Sequence, residues 1–138
     1  NKYLDIFQTN KKDSSSFLKP DKLQLKYFPE TYVKKILKVK MVRLNFLLKI
    51  LKKPVFLKID VQGYELEVLK GTNLKNFDYI YLEGSYAKLY TKQPLIGKIF
   101  KYLTEKGFKL NGRFNLTNDN FGKPLQADFL FKNKKNKI

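Results

Sequence analysis

From Val55 onward, apolar and polar positions follow one design twice. Val55-Phe56-Leu57-Lys58-Ile59-Asp60-Val61 is a mostly apolar run that closes on a carboxylate. That is the pattern of a strand buried on both faces, as in a parallel sheet. Gln62-Gly63 makes the turn, and Tyr64 to Lys70 then places Leu66, Leu69 and Val68 on one helical face, with Gly71 as its stop. Tyr79-Ile80-Tyr81-Leu82-Glu83 repeats the strand that ends in an acid. Pro94 is expected to open a second helix as a first-turn residue. Leu95, Ile96, Ile99, Phe100 and Leu103 form its apolar stripe, and Gly107 ends it. Strand–helix–strand–helix at this spacing argues for an α/β fold with parallel crossovers.

The two ends of the chain read differently. Phe108 to Leu116 and Leu125 to Phe131 predict the strands of a hairpin, joined by an irregular loop over 117–122. Toward the N-terminus, Tyr3–Phe7 is legible as a strand, and Lys11 to Ser16 as a polar turn. Ile36 to Leu44 is a second strand with imperfect alternation. Asn45 is placed to cap a helix over Phe46–Leu51, which would stop near Lys53-Pro54.

Composition narrows the chemistry. There is no His and no Cys among the 138 residues. This removes disulfides, Cys/His zinc sites, nucleophile–histidine systems and any imidazole base, so proton transfer falls to Asp, Glu, Lys or Tyr. The seven glycines form neither a dinucleotide fingerprint nor a phosphate-binding loop. The formal net charge is +17, with 14 basic and 4 acidic residues in 1–57 and four Lys in 132–138. Nearly all of this excess is Lys; Arg43 and Arg113 are the only arginines. A Lys surplus is first a solvated surface, and second a source of loose attraction to nucleic acid or to an anionic membrane. No stretch reaches the roughly 20 apolar residues of a membrane span, and no signal peptide is visible; a cytoplasmic location is the expectation.

The candidate site follows from topology. Ligands of open α/β sheets bind beyond the carboxyl ends of the strands. Asp60 and Glu83 end two successive strands there. Each also has a plainer reading, Asp60 as a turn former and Glu83 as a strand-end ion-pair partner. Glu65 and Glu67 fall in a first helical turn, where acids complement the dipole in any case. Gly63 supplies a positive φ or a close backbone approach.

Leu57-Lys58-Ile59-Asp60-Val61-Gln62-Gly63-Tyr64-Glu65, followed by Val68-Leu69-Lys70-Gly71, resembles the FkbM family of S-adenosylmethionine-dependent methyltransferases. The Ser14–Leu18 segment, Tyr81–Tyr86, Leu89-Tyr90, Gln93-Pro94-Leu95, Gly107-Phe108 and Gln126–Phe131 follow in the family's order, so the resemblance spans about residues 14–131. One departure is Leu44-Asn45, where the family usually has Leu-Asp. The family's upstream glycine-containing loop and ribose-binding acid have no counterpart here.

The resemblance implies the C-terminal half of a Rossmann-like class I methyltransferase sheet. Strands four to seven would be present as parallel strands plus a C-terminal antiparallel hairpin, over residues 1–131. A basic, disordered tail would occupy 132–138, and the cofactor half would lie upstream of Asn1. It further implies transfer of a methyl group from S-adenosylmethionine to a hydroxyl of a sugar, glycan or small natural product. Asp60 is then the first candidate base, Glu65 or Glu83 orients the acceptor or cofactor, and Asp60 and Gly63 serve the cofactor; no metal is implied. By this account the chain alone binds the cofactor weakly or not at all, and an inactive, truncated enzyme is a further reading. The rival class is a non-enzymatic basic module for nucleic acid or an anionic surface. Such a module needs exposed aromatics beside basic residues, whereas Phe56, Phe100, Phe129 and Phe131 are expected in the core.

Overall fold

The computed structural model describes residues 2–46, 48 and 51–135. It is a mixed α/β structure with two sheets. Strands β1 (Lys2–Thr9) and β2 (Val33–Met41) form an antiparallel ribbon. Between them lie a short 3-10 turn at Lys12–Ser14 and helix α1 (Lys22–Tyr27). The second sheet holds β3 (Phe56–Ile59), β4 (Tyr79–Ser85), β5 (Phe108–Asn118) and β6 (Pro124–Asn133), in the order β3-β4-β6-β5. Here β3 and β4 run parallel, while β6 lies antiparallel between β4 and β5. Helix α2 (Glu65–Lys70) connects β3 to β4, and α3 (Ile96–Glu105) connects β4 to β5.

The period-2 pattern explains the second sheet. Along β6 every other residue is buried, from Leu125 through Ala127, Phe129 and Phe131. Ile80 and Leu82 do the same on β4, both with 0% exposure. Apart from Leu125, these side chains meet Leu66 and Leu69 of α2 and Ile96, Ile99 and Leu103 of α3 in one cluster. Residues 96, 99 and 103 share one helical face, which is why α3 forms against this sheet. Gly84 permits the closest approach: a Cβ there would stand 2.5 Å from Ile96 Cδ1 and 3.0 Å from Phe129 Cε2.

The opposite face of the sheet is open, and two expectations change there. The Val55–Val61 strand is not buried on both faces: Leu57 and Ile59 turn to the core, while Phe56 and Lys58 lie on the other face and are exposed. Phe56 is 57% exposed and leads a row of rings with Tyr79, Tyr81 and Phe114. Phe100 is also exposed on α3, so two of the four expected core phenylalanines are not core; Phe129 and Phe131 are buried as expected.

Smaller corrections are local. Asn45 has partners distant in sequence. It lies within a 3-10 turn, Leu44–Phe46, and its Oδ1 accepts from Asn73 N at 2.7 Å and Thr72 Oγ1 at 3.2 Å. It thereby pins the loop after α2. The helix expected over Phe46–Leu51 falls largely outside the described residues. Pro94 precedes the cap residue Leu95 rather than entering the helix. β6 continues through Lys132 and Asn133, and Lys134 N donates to Gly107 O, so the ordered chain runs past 131. No helix among the described residues is long and apolar enough to cross a membrane.

Candidate active site

Register alone brings the two strand-end acids together. Ile59 of β3 pairs with Leu82 of β4, so the next residues, Asp60 and Glu83, stand side by side; Asp60 follows the end of β3, whereas Glu83, expected to close its strand, lies inside β4, which runs on to Ser85 in its pairing with β6. The chain then turns through two left-handed residues, Gln62 at φ 51° and Gly63 at φ 96°. Glycine accepts this freely, whereas a strained position costs a glutamine of order 1–3 kcal/mol. Gly63 is buried, and a Cβ there would press on Gln93 and Leu18 at 3.2 Å.

The strained turn carries the side chain of Gln62 over both acids. Its Nε2 donates to Asp60 Oδ1 at 2.9 Å and to Glu83 Oε2 at 3.3 Å. From β6, Gln126 Nε2 donates to Glu83 Oε1 at 2.9 Å. The exposed Lys58 pairs with Asp60 at 3.3 Å. On the other side of Gln62, Tyr90 Oη lies 3.0 Å from both Gln62 Oε1 and Ser14 O. Ser16 Oγ donates to Gln62 O at 2.7 Å and accepts from Leu18 N at 2.9 Å. The serine segment between the ribbon and α1 is therefore tied to the turn after β3.

Glu65 is placed differently. It is 2% exposed, and its Oε1 accepts from Gly63 N at 2.9 Å. It closes the turn from below, and burial holds its pKa above the usual carboxylate range. Glu67 faces solvent and pairs with Lys70 at 2.8 Å, which is the helix-terminal role open to it from the start.

The electrostatics separate the two rim acids. Burial first, then the charges of Asp60, Glu65 and Asp128, push Glu83 from 4.5 up to about 7, with the Gln62 hydrogen bond opposing. Burial and the surrounding carboxylates likewise push the Tyr90 phenol up, so it stays a protonated donor. Asp60 remains exposed beside Lys58. The rim thus offers one exposed carboxylate and one poised near neutrality, the arrangement that divides acid–base work between two groups.

Sequence reasoning singled out Asp60, Gly63, Glu65 and Glu83; the structure brings Asp60 and Glu83 side by side, with Gly63 in the turn between β3 and α2 and Glu65 buried beneath it. It missed Gln62, Tyr90, Gln126 and Ser16 as parts of it. The signal for Gln62 was its place before a turn glycine directly after a strand-end acid. Behind the rim, Gln93 Oε1 accepts from Leu89 N and Tyr90 N, and its Nε2 donates to Ser85 Oγ, a buried net that fixes the Tyr90 loop. A groove of about 830 Å³ lies elsewhere, between the ribbon and α2, lined by Leu4, Met41, Tyr64 and Val68 among others; none of the rim acids lines it.

No curated protein and no solved structure matches the chain. The family model for the methyltransferase FkbM domain does, over residues 2–110. That span contains the ribbon, the serine segment, both acid-bearing strands and the Gln62-Gly63 turn, though not Gln126–Phe131. A match across well over half of the sequence, centred on the elements that build the rim, makes this chain a member of the FkbM methyltransferase family.

Proposed function

We propose that the rim belongs to an S-adenosylmethionine-dependent O-methyltransferase acting on a hydroxyl of a sugar, glycan or small natural product. One observation carries the reading: Gln62 holds the carboxylates of two adjacent parallel strands together, Asp60 at 2.9 Å and Glu83 at 3.3 Å. The arrangement fits a Rossmann-like class I methyltransferase sheet, with parallel β3 and β4 and the antiparallel β6 inserted before β5.

The donor set fits the cofactor. Carboxylates collect at the rim with a single exposed lysine against them, and Glu83 is raised partly because that negative charge is uncompensated. Such a site suits a cation with hydroxyl groups and disfavours a phosphate. When bound, S-adenosylmethionine supplies the methyl group and a neutral thioether leaving group. Asp60, standing on the turn that Gly63 permits, would hold the cation and its hydroxyls. Glu83 takes the acceptor's hydroxyl proton, since a base titrating near neutrality is both free to accept and strong enough to help. Gln62 and Gln126 keep its two oxygens oriented. Glu65 acts from beneath by fixing the turn.

In the native protein, Glu83→Gln is expected to lower methyl transfer by about 10²–10⁴-fold, and Asp60→Asn to lower it with weaker cofactor binding. Transfer of labelled methyl to a panel of sugar hydroxyls measures both. Retained transfer in Glu83→Gln overturns the assignment of the base.

A second reading has an observation of its own. The exposed row Phe56, Tyr79, Tyr81 and Phe114, with Lys132 Nζ 5.7 Å from the Tyr79 ring centre, is a stacking surface beside basic residues. Asp128 and Glu83 at one end of that row oppose a phosphate backbone, which favours the enzyme. Tight oligonucleotide binding with a steep salt slope would reverse the order.

A further inference from the structure

Gln62 adopts a backbone conformation that glutamine rarely takes, at φ 51°. Three groups hold it there. Ser16 Oγ donates to its carbonyl, Tyr90 Oη donates toward its Oε1, and Gly63 behind it leaves no room for a side chain. Its amide hydrogens then reach two carboxylates that would otherwise repel each other.

We infer that Gln62 is the positioning residue of the rim: its carboxamide splits Asp60 and Glu83 into two separately oriented acceptors, and Tyr90 and Ser16 aim it. The mechanistic consequence rests on the methyltransferase reading; the positioning itself does not. A neutral amide giving one N–H to each acid stabilises both as anions without pairing either with a charge. Glu83 stays accessible to a hydroxyl proton, and Asp60 to a cation. A lysine at this place would neutralise both acids, and an alanine would leave them to share a proton. The other groups facing Glu83 are Asp60 itself with its Lys58 partner, Glu65 from α2, Asp128 from β6 and Tyr90 from the loop after β4. Among these the Asp60 carboxylate and the Tyr90 hydroxyl touch Gln62.

The test is a titration of this chain by NMR, following carboxyl carbons and side-chain amides from about pH 5 to about pH 9. In the wild-type chain, the Gln62 amide is expected to move with a midpoint near that of Glu83. In Gln62→Ala, the Glu83 midpoint rises by about one unit, about a fivefold loss of the anion at pH 7. Gln126→Ala, which removes the other amide on Glu83, raises that midpoint while the Gln62 amide still titrates with it. Tyr90→Phe removes only the hydroxyl and raises it by less. A silent Gln62 amide in the wild-type chain overturns the inference even if a variant fails to fold. So does a Gln62→Ala chain whose Glu83 midpoint stays in place. Loss of methyl transfer in the face of a normal titration would instead strike the proposed function.

Discussion

The ribbon β1–β2 and the sheet β3-β4-β6-β5 both mix apolar and polar residues along their strands, with a cleaner alternation in β6 than in β2, yet only the sheet owns a core. Ile80, Leu82 and Phe131 are fully buried against α2 and α3. On the ribbon, Tyr3 is 59% and Ile36 is 56% exposed, and none of its residues joins the main cluster. Residue type is nearly the same in both regions; what differs is whether a helix returns to cover the strand. Stability therefore resides in the sheet, and the ribbon contributes geometry through the serine segment it leads into.

The contrast is most directly broken by core truncation. Phe131→Ala is expected to cost about 3–5 kcal/mol in denaturant unfolding, and Ile36→Ala on the ribbon less than about 0.5 kcal/mol. Equal losses at both sites would give the ribbon a share of the cooperative core. Next in size is the tie between the regions. Ser16→Ala removes the hydroxyl that bonds Gln62 O and Leu18 N. It is expected to cost about 1–3 kcal/mol, with faster amide exchange through residues 14–18. Unchanged exchange there would mean that the serine segment is held by the ribbon alone.

The third effect is a pH dependence. The folded chain binds the Glu83 proton more tightly than the unfolded one, so the contribution of this group is present in acid and lost as pH rises. The window is from 4.5, its ordinary value, to about 7. Glu65 is shifted the same way. Glu83→Gln is expected to flatten the decline across that window in a melting series, and an equally steep decline in the variant would assign it to Glu65.

Much of this was readable before any coordinates. β3, β4, α2 and α3 announce themselves because local pattern and tertiary burial agree on them, and the shared rim of Asp60 and Glu83 follows from two strands of one design. What was hidden depends on neighbours distant in sequence. Phe56 looks like core in its own segment, but it lies on the sheet face turned away from the cluster that Leu57 and Ile59 join. Gln62, Gln126 and Ser16 carry no charge or periodicity to mark them, and their meaning comes from partners up to 46 residues away. Asn45 has the right chemistry for a cap, and spends it on the loop after α2.

The one-sided pairing of β3 also bears on how the chain behaves among its own copies. Among the described residues no strand pairs with the outer edge of β3, and such an edge, with an outward phenylalanine and one lysine, is a template for another strand. Copies carrying +17 repel each other and keep such edges apart. Added salt shortens the reach of that repulsion, so self-association of this molecule is expected to increase with ionic strength.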